Sequence, residues 1–220
     1  MSYIAERRQE EKDRRRSEII DAAEDLYREL GWDAVTMDSV AKRARLSRAL
    51  VYVYFKDRND LHFAIALRAM EALHARFVEA SSRTRLGLEK IEAIGRAYVA
   101  FGHEFPHYFD ACARLEAHAG EQGKPRPEEN NSLAVGSDLH DTVVEALQAG
   151  QHDGTIRADL GDLMVTSRVL WGFTHGLIQI AMTKDQALAQ KGISVPQLTQ
   201  QAIALIRYML AGPKAPGVTE

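Results

Sequence analysis

A single cysteine, Cys112, in 220 residues rules out an intramolecular disulfide and any four-thiolate metal site. That scarcity suits a reducing compartment. No apolar run approaches the ~20 residues that a membrane-spanning helix needs. The N-terminus is charged from Glu6 onward, so it lacks the apolar core of a secretion signal. No convincing alternation of apolar and polar residues marks a half-buried strand, and no internal repeat is found. A glycine-rich phosphate loop, a nucleophile elbow and a usefully spaced carboxylate pair are also missing, which removes the commoner enzyme signatures. Net charge is only −3, so the whole protein is no generic polyanion binder. These absences lead to the expectation of a cytoplasmic protein with no cofactor, no catalytic activity and no membrane partner.

What is present is helical periodicity, with 45% apolar residues. That is enough for a real core in one large or two modest domains. Ser17 can cap a helix whose Ile19, Ile20, Ala23, Leu26, Tyr27 and Leu30 form one stripe, ended by Gly31. Thr36 caps a short helix through Ala44, and Ser47 caps the next, roughly Arg48 to Phe55. Asp57 caps a longer one to about Ser81. Leu86 to about Glu104 is helical, and Pro106 forces a break before a helix with Tyr108, Phe109, Cys112 and Leu115. Residues 119–131, polar with glycine and proline, read as a mobile loop, and 132–149 as a helix. A strongly apolar helix from about Asp162 to Thr183 follows, and Ser194 with Pro196 opens the last, ending near Gly212. The expectation is an all-α chain of about nine helices. A basic arm and three-helix helix-turn-helix domain occupy residues 1–60, a helical effector-binding and dimerisation domain 61–212, and a flexible tail 213–220.

Charge is distributed unevenly along this plan. Thr36 to Arg58 holds six basic residues against Asp38 and Asp57, a local +4, and Arg7 to Arg16 adds another +3. Two short helices joined by a few residues can cross steeply, placing the second in the DNA major groove. Val40, Ala41, Ala44, Leu46, Leu50 and Val51 would lock such a pair together. Ser47, Arg48, Ala49 and Tyr52, with Val53, are then left on the exposed side. Arg48 is the candidate for a base edge, because a guanidinium spans two acceptors on guanine. Tyr52, Tyr54, Lys56 and Arg58 lie where the helix leaves the groove and would meet phosphate. From composition alone, a basic solvated hairpin is the commoner reading of such a cluster.

The order of parts sharpens it. The features are the I-I-x-A-A-x-x-L-Y stripe, Gly31, Thr36, Val40-Ala41, Ser47, Val51-Tyr52-x-Tyr-Phe and the basic-x-x-Leu of Arg58 to Leu61. On these, Ser17 to Leu61 resembles the DNA-binding domain of TetR-family transcriptional regulators. The resemblance implies phosphate contacts from Thr36, Tyr52, Tyr54 and Arg58. It also implies a homodimer on a palindromic double-stranded operator, most often a repressor, released by a small-molecule effector held in the region after Leu61. Two departures stand out: Arg45 occupies the turn position where the family has glycine, and Arg58 replaces the usual lysine. Arg45 is a further candidate for phosphate.

In the body, the helix from Asp162 is apolar nearly all round, with Gly172 and Gly176 four apart. The last helix offers Leu198, Ala202, Leu205 and Met209. Two such helices from each subunit would make the four-helix interface the resemblance implies; a monomer burying these stripes internally is the alternative. The runs GTIRADLGD and Trp171-Gly172-x-x-His175-Gly176-Leu177 resemble the C-terminal half of one TetR subgroup. Phe101, Phe105, Tyr108, Phe109, Cys112, Trp171 and His175 are the candidates for a largely apolar effector pocket, although each residue type is more often ordinary core. A helical interaction module remains a rival. A zinc hydrolase is a weaker one: His103-Glu104-Phe105-Pro106-His107 spells H-E-x-x-H, with Glu116 or His118 as a third ligand. Pro106 argues against it, since the two histidines cannot then share one regular helix.

Overall fold

The computed structural model describes residues 3–118 and 127–217. Ten α-helices are found among them: α1 (Tyr3–Leu30), α2 (Met37–Arg43), α3 (Arg48–Tyr54), α4 (Arg58–Ser82), α5 (Gly87–Glu104), α6 (Pro106–His118), α7 (Pro127–Asp153), α8 (Leu163–Thr183), α9 (Asp185–Gln190) and α10 (Val195–Leu210). A 3-10 turn, Trp32–Ala34, joins α1 to α2. The only extended pairing among the described residues is an isolated antiparallel bridge between Ile156 and Ala211. The all-α expectation holds.

Most expected starts are built as read. The Thr36 hydroxyl accepts from the Ser39 amide at 3.1 Å while Ser39 Oγ accepts the Thr36 amide at 3.0 Å. Ser47 accepts from Leu50 at 3.2 Å, and Asp162 from Met164 at 2.7 Å. Ser194 and Gln197 form a second reciprocal pair at the start of α10. Each satisfies amides that a helix start otherwise leaves unpaired.

Three local expectations need correction. Ser17 caps nothing, because α1 begins at Tyr3 and runs straight through it; its hydroxyl instead accepts from Arg68 at 2.7 Å. Residues 3–14 are exposed and carry no apolar stripe, so a periodicity reading passes over them. Of the expected loop at 119–131, residues 119–126 lie outside the described residues, while Pro127 onward already belongs to α7. The stretch after Gly212 was expected to be loose, yet Lys214 donates its amide to the Gly154 carbonyl at 3.0 Å and Ala215 is buried. The short α9 was not anticipated.

The chain packs as two units. One comprises Met1–Ala69 with Pro106–Ser132. Its core is Ile19, Ala23 and Leu26 of α1, Val40 of α2, Val51 of α3, Phe55, and Leu61 and Ile65 of α4, none more than 5% exposed. Each of these side chains larger than alanine contributes roughly 1.5–3 kcal/mol. In the same unit α6 lies on α1, where the Tyr27 hydroxyl donates to Asp110 at 2.6 Å.

The other unit comprises Met70–Phe105 with Leu133–Glu220. Here α5, α8 and α10 pack mutually. The start of α5 has no cap from its own flank, so the turn after α7 supplies one. Asp153 accepts the Gly87 amide at 2.8 Å, and Thr155 Oγ1 accepts the Leu88 amide at 3.2 Å. Gly87 is obligatory there, because a Cβ would lie 2.0 Å from the Gly150 nitrogen.

Candidate nucleic-acid interface and interior cavity

The turn between α2 and α3 closes α2 with two crossed hydrogen bonds. The Leu46 amide donates to Ala41 at 2.9 Å and the Arg45 amide to Lys42 at 3.2 Å. That pattern requires a left-handed residue between them, and Arg45 supplies it with φ of 57°, the only positive φ among the described non-glycine residues. Its side chain is exposed. Because Val51 faces inward, Ser47, Arg48, Ala49, Tyr52 and Val53 are all left on the open side of α3. Val53 is 75% exposed, so this apolar side chain is presented rather than packed.

Arg48 reaches back to Asp38 of α2 at 3.2 Å and forward to the Tyr52 hydroxyl at 3.4 Å, with its guanidinium 5.4 Å from the Tyr52 ring centre. Hydrogen bonding to Tyr52 and the Asp38 charge hold its pKa above the ordinary arginine value. The exposed Arg48 guanidinium thus has a carboxylate on one side and a phenol on the other. Thr36 and Lys56 are exposed, and Tyr54 is half-buried. Arg58, expected at phosphate, is half-buried and engaged within the subunit. It donates to the carbonyls of Asp33 at 3.4 Å and Val35 at 3.3 Å, and lies 5.2 Å from the Trp32 ring centre. It therefore ties the 3-10 turn to the start of α4. No positional pattern in the sequence distinguishes these carbonyls from phosphate as acceptors.

The second unit holds a partly open cavity of about 30 Å³, room for about two water molecules. Phe77, Ile91, Ile94, Leu170 and Ile206 give it apolar walls. Tyr98 and Trp171 stack at 4.6 Å along one side. The polar groups are few. His140 Nδ1 is 2.8 Å from Ser167 Oγ, and the Tyr98 hydroxyl is 2.8 Å from His175 Nδ1. Burial pushes the His140 imidazole down to about 4, with the nearby Arg168 charge adding to it and Asp141 opposing. Burial lowers His175 as well.

The structure distributes the seven expected pocket residues unevenly. Trp171 lines this cavity, and His175 reaches it through Tyr98. Phe101 and Phe105 pair at 5.5 Å, with the Arg76 guanidinium over both rings. Tyr108, Phe109 and Cys112 are on α6, in the other unit. There Phe109 and Cys112 are core, and the Tyr108 hydroxyl is pushed up to about 12 by burial and by Glu24. Tyr98, His140, Ser167 and Thr174 were missed. Tyr98 and His140 sit in phase with Ile91, Ile94 and Phe101, and with Val143 and Leu147, so lone polar tips on apolar stripes were the available signal.

The H-E-x-x-H letters are divided by the backbone: His103 and Glu104 end α5, Phe105 closes it, and His107 belongs to α6. The Glu104 carboxylate is held below its usual range by Arg76, 2.6 Å away. Among the described residues no group of three or more His, Cys, Asp or Glu side chains could hold a metal ion. No described helix is long and apolar enough to cross a membrane.

Comparison with known proteins converges on one family. Residues 19–65 match the family described as bacterial regulatory proteins, tetR family, and residues 91–204 the tetracyclin repressor-like C-terminal domain. The chain is 24% identical over 157 residues to the HTH-type transcriptional repressor NicS of Pseudomonas putida, covering 70% of this chain and 71% of that one. It is 26% identical over 176 residues to the HTH-type transcriptional regulator UidR of Escherichia coli, covering 78% and 84%. The fold is similar to that of the transcriptional regulator FadR from Bacillus subtilis in complex with stearoyl-CoA, with a TM-score of 0.66 at 16% identity over 88% of this chain and 98% of that one. The chain belongs to the tetR family of bacterial regulatory proteins: it is a DNA-binding transcriptional regulator.

Proposed function

We propose that the protein is a cytoplasmic, non-catalytic repressor that sits as a homodimer on a palindromic operator and is released by a small, largely apolar effector. The observation that carries this reading is the exposed Arg48–Tyr52 face of α3, braced from behind by Asp38. Within this frame residues 1–60 read DNA, and residues 61–212 bind effector and dimerise. Thr36, Arg45, Lys56 and Tyr54 contact phosphate around the groove, Ser47 and Ala49 lie against the base edges beside Arg48, and Arg58 braces the module from within.

Dimerisation is supported by apolar surface on two helices. Val165, Val169 and Ile180 of α8 are 60%, 64% and 49% exposed, and Leu205 and Met209 of α10 are 44% and 46% exposed. Open space surrounds Gly172 and Gly176, which lets another helix approach closely. Contiguous apolar surface of this kind marks an interface. Two α3 helices held about 34–36 Å apart would meet successive major grooves.

The cavity between Phe77 and Trp171 is the effector site favoured by its mix of apolar wall and few polar tips. At its present volume it must enlarge to admit a ligand. α4 carries Phe77 in the cavity wall and Leu61 and Ile65 in the core beneath α3. A ligand that displaces Phe77 therefore tilts a helix on which the reading head is mounted. The stearoyl-CoA bound by FadR is one precedent for a long apolar effector on this fold. The test is anisotropy titration of a duplex from the protein's own upstream region, at several salt concentrations and with pools of small molecules. A regulator binds with affinity falling steeply as salt rises, and one pool releases it. Absence of binding to any duplex at low salt would instead favour a helical interaction module.

A further inference from the structure

The first fourteen described residues, Tyr3 to Arg16, bury nothing and yet extend α1 by about 20 Å. Four of their six cations share one face. Arg8, Lys12, Arg15 and Arg16 recur at helical spacing, in line with Ile19, Ala23 and Leu26, which face the core farther along the same helix. Glu6, Glu10 and Asp13 fall on the opposite side, together with Arg7 and Arg14. Arg14 and Arg15 are tied to Glu11 at 2.5 and 3.4 Å, and Arg15 also to Glu18 at 2.7 Å. Arg8 and Lys12 are the outward cations of the stripe.

The stripe is anchored beside the reading head. The Arg16 guanidinium lies 5.2 Å from the ring centre of Phe55, the residue that closes α3. The basic side of the extension therefore starts where α3 ends and faces the same way as the helix-turn-helix core. Exposed intrahelical ion pairs contribute only tenths of a kcal/mol. They explain why the rod stays helical but not why four of its six cations lie along one side.

The geometry points to a second DNA-contacting element: residues 3–16 of α1 lie along the phosphates flanking the bases read by α3, gripping the duplex without reading sequence. This rests on α3 being the DNA reader. Duplex DNA rises about 3.4 Å along its axis per base pair, so the rod spans about six base pairs. Arg8 and Lys12 make the principal contacts.

The experiment uses the full chain and a duplex selected by it from a random pool. That duplex is prepared trimmed to its two half-sites, and also extended by about one helical turn (~10 bp) on each side. Affinity is followed against salt. For Arg8→Ala/Lys12→Ala the slope of log affinity against log salt is expected to fall by about two on the extended duplex, and to stay unchanged on the trimmed one. A matched variant of the opposite face, Glu6→Gln/Glu10→Gln, should leave both slopes as they are. Equal slopes for wild type and Arg8→Ala/Lys12→Ala on the extended duplex overturn the proposal, as does an equal change from the acidic-face variant. Wild-type protein that selects no duplex overturns the DNA-reading function as well, which separates the two failures.

Discussion

Arg45 holds a left-handed backbone at φ 57° in the turn on which the whole reading head depends. A side chain with Cβ costs roughly 1 kcal/mol there, and glycine removes that cost. Arg45→Gly should therefore raise stability by about 1 kcal/mol in urea denaturation, while weakening DNA binding at low salt through loss of an exposed cation. A variant that is more stable and binds as tightly would show that the arginine has no phosphate to face. At Arg48 the expectation concerns specificity. Arg48→Ala should weaken the selected duplex more than random DNA, by about 1–3 kcal/mol for one lost bidentate contact. Asp38→Ala frees Arg48 from the 3.2 Å brace and removes a negative charge, so random DNA should bind more tightly and discrimination should narrow. Competition titrations with both duplexes measure this, and parallel shifts on the two would exclude Arg48 from base readout.

Among the elements, α8 and α10 carry the clearest expectation. Val169 and Leu205 are 64% and 44% exposed on the subunit, a poor place for large apolar side chains unless a second copy covers them. Val169→Glu or Leu205→Glu would leave a carboxylate in that contact, a costly burial. Sedimentation should show dimer association weakened at least about tenfold, a change of about 1.4 kcal/mol, with operator affinity falling in step. An unchanged mass would place the interface elsewhere. Element starts were largely legible, since Thr36, Ser47, Asp162 and Ser194 cap through their own hydroxyl or carboxylate a few residues on. The N-terminal fourteen residues of α1 were not, because a helix that buries nothing leaves no apolar period to detect. The start of α5 was hidden for another reason: its capping groups, Asp153 and Thr155, lie 66 and 67 residues away.

For the whole molecule, the buried His140 links fold stability to pH. Unfolded, its imidazole titrates near 6.5; folded, it is pushed down to about 4 by burial. Between those values the unfolded chain binds a proton that the folded chain refuses, so stability falls as pH is lowered through that window. At about 1.4 kcal/mol per unit, wild type should lose about 2 kcal/mol more than His140→Gln between pH 7 and 5. Urea midpoints at the two pH values provide the comparison, and equal losses would mean that His140 is hydrated in solution. His175 is lowered in the same direction and persists in both proteins.

The sequence alone determined the all-helical class, the crossed pair α2 and α3 with its exposed Arg48 and Tyr52, and the family. These depend on short-range spacing, where a residue's partner is three or four positions away. Tertiary structure decided which aromatic residues meet. It placed Tyr98 on Trp171 and paired Phe101 with Phe105. It also turned Arg58 inward to the carbonyls of Asp33 and Val35. Apolar and aromatic contacts are non-directional, so a stripe fixes which face a helix buries but not which neighbour covers it. That choice belongs to the packing of the chain as a whole.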